Sequence, residues 1–282
     1  MKQPTLSIVV PCYNEEAVIA KCLDAIAAQH SAPDEVIIVD NNCIDNTIAI
    51  AKTYDFVKIV KQPVQGMSPA RNAGIAAATC DVVGRIDADS TLRPDWVAVV
   101  KNCFADDSVD AATGPVYYND MPAEKLGASV DKQVRIAITK LAKNSDFRIL
   151  FGTNMAVRRS SWESLVNEIC VDDIVHEDID IALHMHRAGM NVAFDKAMVV
   201  GMSARRLEDS PKEFYKYIMK WQRTFDRHPT KSIVARVPIV IWLSVYFPTK
   251  MLRVLYDADT SQMTSKKLVA QAKAFFADRR PL

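Results

Sequence analysis

The sequence predicts an α/β fold: a mostly parallel sheet flanked by helices, followed by a basic helical C-terminal extension. Three observations carry this. Short Val/Ile-rich runs alternate with helix-period segments up to residue 103, the pattern of strands covered on both faces. Polar clusters holding Asn14, Asp40 and Asp87 fall at or just past the carboxyl ends of those runs, where open α/β sheets bind ligands. Charge is divided unevenly. Residues 1–200 hold 19 Lys/Arg against 27 Asp/Glu, a net of −8, and residues 201–282 hold 16 against 7, a net of +9. A basic end on an acidic body points to an anionic partner: phosphate groups, an anionic membrane surface or nucleic acid.

The elements follow in order. Residues 6–10 (LSIVV) form a strand closed by Pro11, and 15–28 place Val18, Ile19, Cys22, Leu23 and Ile26 on one helical face. Residues 35–40 (EVIIVD) are a second strand and 45–53 a helix with Asp45 as its cap. A short strand at 57–60 precedes a helix at 69–78, capped by Ser68 with Pro69 at its first position. Residues 81–87 are a strand and 94–103 a helix. Beyond, the pattern predicts a strand at 109–118, a long helix at 122–143 and a strand at 149–157 interrupted by Gly152. A helix at 178–188 stops at Gly189, a basic aromatic helix covers 214–225, and two or three further helices fill 232–278. Two units are expected: 1–230 as the ligand-binding body and 231–282 as the extension.

Composition narrows the classes. A chain of 282 residues with 49% hydrophobic and 24% charged residues supports a sizeable core. The six cysteines are scattered and none forms a C-x-x-C pair, so reduced thiols in a cytosolic protein are expected and zinc is not. No signal-peptide pattern precedes the first strand. The longest apolar run, VPIVIWLSVYF at 237–247, is shorter than the roughly 20 residues that cross a bilayer.

Several constellations carry chemistry. Asp87 and Asp89 in RIDADS share one face of an extended chain, at the end of a buried strand. Such a pair is a general acid/base pair, a hard-cation site for Mg²⁺ or Mn²⁺, or a solvated strand end. Asp40 opens the polar run DNN; with Asp45 placed to cap the next helix, Asp40 is left for a ligand. Pro11-Cys-Tyr-Asn-Glu-Glu16 sets Tyr13 beside amide and acid groups, which suits a nucleobase and ribose or a plain strand-to-helix turn. Arg71 in SPARNAG, in a first helical turn, makes an anion site or a surface cation. His176-Glu177-Asp178 opens a helix, where acids serve the helix dipole or accept a proton.

Together SIVVPCYNEE, VIIVDNN, SPARNAG, RIDADS, GTNMAVRRS and HEDIDIALHMHRAG resemble, in order, the motifs of family 2 glycosyltransferases of the GT-A fold. The resemblance covers roughly residues 5–225. It implies that Pro11, Tyr13 and Asp40 hold the base of a nucleotide sugar and Glu15 the ribose, with Arg71 near the diphosphate. It implies that Asp87 and Asp89 are the D-x-D motif, with Asp89 the direct ligand of Mn²⁺ or Mg²⁺ and Asp87 between metal and ribose. Gly152, Thr153, Asn154, Glu177 and Trp221 then lie between donor sugar and acceptor, and Asp178 is the catalytic base. The implied reaction is a single displacement with inversion, from a UDP-sugar by default, onto a hydroxyl of a glycan or lipid-linked acceptor in cell-envelope synthesis.

Departures from the family matter too. Polymer-forming members carry Q-x-x-R-W and transmembrane helices; here Tyr217-Ile-Met-Lys220-Trp221 stands in its place, so transfer of one sugar is expected. Many relatives place a metal-binding His where this chain has Val200-Gly-Met-Ser-Ala204, which lacks one. Lys212, Lys216, Lys220, Arg223, Arg227 and Lys231 recur at helical spacing. With the apolar run at 237–247 they suggest a cytoplasmic protein lying peripherally on the inner face of the membrane, with no nucleic-acid partner. The rival readings are a sugar-nucleotide nucleotidylyltransferase and a non-catalytic nucleotide-sugar-binding protein. The first lacks its Gly-rich loop here; the second sits poorly with the acids at 87, 89 and 178.

Overall fold

Alternate side chains of the first strands point to opposite faces, and both faces are apolar. In the computed structural model, which describes residues 3–121, 148–172, 174–228, 233–257, 262–264 and 269, this builds a central sheet with a core on each side. Val9, Ile37, Val39 and Val83 enter one core, and Ile8, Val10, Val36, Ile38 and Val82 the other.

The chain runs β1 (Leu6–Cys12), α1 (Ile19–Ala27), β2 (Glu35–Asp40), α2 (Thr47–Ala51), β3 (Val57–Lys61), α3 (Met67–Ala77), β4 (Val82–Ile86), β5 (Thr91–Leu92) and α4 (Trp96–Cys103). It continues with β6 (Ala111–Thr113), β7 (Val116–Tyr118), β8 (Asn154–Arg158), α5 (Arg159–Leu165), α6 (Glu177–Arg187), β9 (Val192–Phe194) and β10 (Val200–Met202). A 3₁₀ turn at Arg205–Glu208 leads to α7 (Pro211–Asp226) and α8 (Ile233–Val254), and a short hairpin pairs Tyr256–Asp257 with Gln262–Met263. The seven-stranded sheet has the order β3-β2-β1-β4-β8-β6-β9, with β8 antiparallel to both neighbours. A second sheet, β5-β10-β7, stands beside it. The expected mostly parallel sheet flanked by helices is therefore present.

Several expected boundaries move, each for a local reason. β1 does not end at Pro11: it pairs with β2 through Cys12, while its pairing with β4 stops at Val9, so the missing Pro11 N–H costs nothing there. The strand expected at 109–118 divides at Gly114-Pro115 into β6 and β7, which join different sheets. A Cβ on Gly114 would lie 2.0 Å from the Met198 carbonyl oxygen, so only glycine allows that approach. The strand expected at 149–157 begins only at Asn154. α3 starts at Met67 after Gly66, whose φ of 142° is a glycine conformation, so Ser68 lies inside the helix rather than capping it. The helix expected at 122–143 lies outside the described residues.

Among the described residues of the C-terminal segment a single 22-residue helix spans Ile233–Val254, and most of the remaining stretch to 278 lies outside the described residues. The helix window Arg236–Val254 is long and apolar enough to cross a membrane by length and composition, which the apolar run alone is not. α8 nevertheless rests on the body. Tyr246 is buried, stacks on Phe214 at 4.2 Å and donates to the Asp209 carbonyl at 2.7 Å; Arg253 pairs with Glu208 and Asp120.

Candidate active site

The carboxyl ends of β1, β2 and β4 lie side by side, and each delivers polar groups. Past β1, Asn14 takes a left-handed φ of 54° and accepts from the Ile44 N–H, turning the chain so that Tyr13 is half exposed. Glu15 is fixed through its own N–H, which donates to Thr47 Oγ1 at 2.7 Å. At the end of β2, Asp40 Oδ1 accepts the Cys43 N–H at 2.9 Å, so Asp40 closes its own turn instead of standing wholly free for a ligand. Asp45 does tie the start of α2, its Oδ1 accepting from the Thr47 N–H. Beside them Asn41, buried, bonds Gln62 O, Val64 O and the Gly66 N–H, and so fixes the loop that feeds α3.

β4 carries the electrostatic centre. Arg85, buried on the face of Asp87, places Nη2 at 2.8 Å from Asp87 Oδ1 and 3.5 Å from Glu177 Oε1. The other oxygen of Asp87 accepts from Thr153 Oγ1 at 2.7 Å. Gly152 lies over this guanidinium, and a Cβ there would come 1.8 Å from Arg85 Nη1. Arg85 thus mutes the repulsion between Asp87 and its neighbours.

Asp89 is held differently. Its Oδ2 pairs with Arg205 Nε at 3.0 Å, and its Oδ1 is buried with no hydrogen-bond partner. Burial and the charge of Asp87 push its carboxyl up to about 6. Arg205 also grips Glu15 with both terminal nitrogens, so one guanidinium bridges two acids from distant segments. Sequence reasoning missed this residue. The stretch inspected for a histidine ends at Ala204, one position before the cation.

Arg71, expected near a diphosphate, is 1% exposed and is not among the residues that line the cavity beside Asp87 and Asp178. Its Nε and Nη2 donate to Asn72 Oδ1, Nη1 donates to the Glu177 carbonyl at 3.2 Å, and its guanidinium stacks over Trp162. Burial lowers its pKa to about 10. Arg71 buttresses the start of α6 from beneath. Asn154 is likewise fully buried. It bonds Trp96 Nε1, Pro115 O and Met198 O, so it locks β8 rather than facing a ligand.

Asp178 stands in the first turn of α6. Its Oδ2 accepts the Gly152 N–H at 2.8 Å and its Oδ1 the Ile179 N–H at 2.8 Å. Burial and the adjacent Glu177 charge push its carboxyl up to about 6 against those bonds. Glu177 goes the other way: burial opposes its ionisation, but Arg85 and Arg71 hold it below the ordinary range. His176, buried edge-on to Tyr217 and Trp221, is driven down to about 4 by burial and is neutral at pH 7.

A cavity of about 210 Å³ joins these parts. It is lined by Asp87, Asp89, Gly152, Thr153 and Asp178, together with Tyr217 and Trp221 from α7 and Arg205-Arg206. Pro11, Tyr13, Glu15 and Asp40 lie outside this cavity, at the sheet edge, and Glu177 lies behind it. The donor set suits a hard divalent cation: the buried, unpartnered Asp89 Oδ1 is an oxygen ligand short of a positive partner. Among the described residues no third protein ligand joins Asp87 and Asp89.

Comparison with known proteins bears on the family and the fold. The model of glycosyl transferase family 2 matches residues 7–166, more than half of the chain. The probable glycosyltransferase YdaM of Bacillus subtilis is 26% identical over 272 residues, covering 90% of this chain and 60% of YdaM. The glycosyltransferase AglE of Haloferax volcanii is 29% identical over 148 residues, covering 49% of each chain. The chain thus matches half to three fifths of the length of these relatives. Among solved structures, a Pyrobaculum calidifontis mannosyltransferase in complex with GDP-Man and Mn²⁺ superposes with a TM-score of 0.64 at 20% identity, over 100% of this chain and 82% of its own. Glucosyl-3-phosphoglycerate synthase of Mycobacterium tuberculosis, with Mn²⁺, UDP and glucosyl-3-phosphoglycerate, gives 0.57 at 22% identity, over 79% and 80%. The shared fold is the expected GT-A architecture. The chain belongs to glycosyl transferase family 2.

Proposed function

We propose that this chain is a metal-dependent, inverting glycosyltransferase that moves one sugar from a nucleoside-diphosphate sugar to a hydroxyl acceptor in cell-envelope glycan or glycolipid synthesis. One observation carries the reading. A single cavity is lined by both Asp89, whose Oδ1 has no partner, and Asp178, a carboxylate with a raised pKa. In this reading Asp178 takes the proton of the acceptor hydroxyl, and its raised pKa makes it a stronger base than an ordinary carboxylate. The Gly152 and Ile179 N–H groups hold both of its oxygens, so its orientation is set before the acceptor arrives. The acceptor oxygen bonds to the anomeric carbon as the bond to the diphosphate oxygen breaks, and the configuration inverts.

Asp89, with Asp87 beside it, would hold Mn²⁺ or Mg²⁺, which when bound supplies positive charge to the leaving diphosphate. Glu15 is assigned to the ribose, and Pro11, Tyr13 and Asp40 at the sheet edge to the base. Gly152, Thr153, Glu177 and Trp221 are assigned to the junction of donor sugar and acceptor. A uridine nucleotide is the first choice. The Mn²⁺-bound relatives that hold GDP-mannose and UDP support a divalent ion and make guanosine the competing outcome.

We read residues 1–230 as the catalytic unit and 231–282 as an extension that brings the protein peripherally to the cytoplasmic face of a membrane. Its docked face is described above. Its outer face exposes Val240, Phe247 and Met251, and Lys212, Lys216, Arg223 and Arg227 are exposed on and just after α7.

The test is a thermal-shift screen of nucleotide sugars with and without Mn²⁺, followed by a transfer assay. A UDP-sugar is expected to raise Tm only when Mn²⁺ is present. Asp89→Ala is expected to lose that shift, and Asp178→Asn to keep it while losing turnover. If no nucleotide sugar stabilises the chain, the reading is wrong.

A further inference from the structure

Behind α6 lies a second group of ligating side chains that the transfer reaction does not use. Cys170 comes from the loop before α6, Asp180 from α6 and His228 from just past the end of α7. Their ligand atoms all lie within 4.8 Å of one another. His184, one turn beyond Asp180, brings Nε2 to 3.8 Å from Asp180 Oδ1, and its ring centroid lies 4.9 Å from that of His228. His228 Nε2 is 2.8 Å from the same Asp180 oxygen, and the other, Oδ2, accepts the Cys170 N–H. So Asp180 Oδ1 is the point on which the two imidazoles converge.

The polar accounts of this pocket do not close. Asp180 is fully buried, and His184 and His228 are each 7% exposed. Yet both ring nitrogens of His184, and Nδ1 of His228, have no hydrogen-bond partner. Buried polar nitrogens left unmatched are costly, and coordination would satisfy one nitrogen of each ring. Glu168 Oε2 stands 3.7 Å from His184 Nδ1, on the ring edge away from Asp180. Closing that gap to a hydrogen bond would orient the ring as metal-bound imidazoles commonly are. Cys170 is half-buried, which leaves an entry path; burial raises its thiol pKa, and Arg227, which pairs with Asp172, only partly opposes that, so the thiolate needs a cation beside it.

We propose that Cys170, Asp180, His184 and His228 form a binding site for a zinc-type divalent cation, distinct from the Asp87/Asp89 carboxylates. Cys170, Asp180 and His228 already lie within reach of one ion, and His184 beside Asp180 would bring the donor count to the four of a closed zinc site; sulfur with imidazole selects zinc over magnesium or manganese. On binding, the Cys170 thiol releases its proton to solvent as the metal–sulfur bond forms. The ion would fasten α6, which carries Asp178, to the end of α7, which carries Tyr217 and Trp221. A site built from separated single ligands carries no C-x-x-C pattern, which is why the sequence argued against zinc.

The probes are Co²⁺ and Zn²⁺, added to the metal-stripped full chain with excess Mg²⁺ present to occupy the carboxylate site. Co²⁺ is expected to produce a thiolate-to-metal charge-transfer band that saturates at one ion per chain and is bleached by Zn²⁺. Cys170→Ser and His228→Gln should each abolish the band and weaken Zn²⁺ binding at least about tenfold. Cys103→Ser, at a half-buried thiol elsewhere, should keep both. Circular dichroism and Tm confirm that the variants fold. A wild-type chain with no such band at one equivalent overturns the proposal whatever the variants do, and so does a band that survives in folded Cys170→Ser or His228→Gln.

Discussion

At the smallest scale the proposed chemistry turns on Asp178, Glu177, Asp89 and Arg205. Asp178 must be ionised to act as a base, and burial with the Glu177 charge has raised its pKa to about 6. In the proposed reaction kcat/KM therefore falls as pH drops through about 6. Glu177→Gln removes a charge that raises that pKa, so the acid limb should move to lower pH in a pH–rate profile. Asp178→Asn should cost at least about 10²-fold in turnover, the lower end for general-base removal. The same shifts have a stability consequence. Asp89 and Asp178 have folded pKa values above the ordinary 3.8. Between about 4 and 6 the folded chain therefore binds more protons than the unfolded chain. Their contribution is full below that window and is lost as pH rises through it, so Tm without added metal should fall from pH 4 to pH 7 from this source. Arg205 competes for the Asp89 carboxylate, and Arg205→Ala should tighten nucleotide-free Mn²⁺ binding by calorimetry; unchanged or weaker binding would argue against a metal at Asp89.

At the scale of elements, the site is an assembly of ends. α7 is held at its start by a capping box in which Ser210 accepts the Glu213 N–H and Glu213 reaches back to the Ser210 N–H. Ser210→Ala should lower stability by about 1 kcal/mol by chemical denaturation, with kcat little altered because Tyr217 and Trp221 lie beyond the first turn. The loop before β8 is less tolerant. Gly152→Ala drives a methyl into Arg85, which has no open side to retreat to, and separates it from Asp87. A loss of about 1–3 kcal/mol is expected, with turnover falling as well because Gly152 also holds Asp178.

For the whole molecule the open matter is how α8 meets its surroundings. One face is tied down through Tyr246, Lys250 and Arg253, while Val240, Phe247 and Met251 face outward. A helix anchored along one side fits interfacial contact better than a span. Phe247→Asp should reduce sedimentation with anionic liposomes at low salt while leaving donor-induced thermal stabilisation intact. If the wild-type chain does not sediment at all, the membrane reading fails.

The sequence by itself determined the parallel half of the sheet, because Val/Ile runs separated by helical periods have few other ways to bury both faces. It also placed Asp87, Asp89 and Asp178 in candidate roles, since each follows a legible strand end or helix start. Tertiary structure decided the rest. Nothing in SPARNAG distinguishes a buried Arg71 from an exposed one; that depends on Trp162 and Glu177, which arrive from the other half of the chain. Gly114-Pro115 divides one apolar run between two sheets because Met198 approaches from far along the sequence. Arg85 pairs with Asp87 two residues on, and its second acid, Glu177, arrives from the other half of the chain. Local periodicity reports which face of an element is buried. Which charge finds which partner is set largely by long-range packing, and in this chain Asp89, Glu15 and Asp180 each find a partner in a segment remote from them.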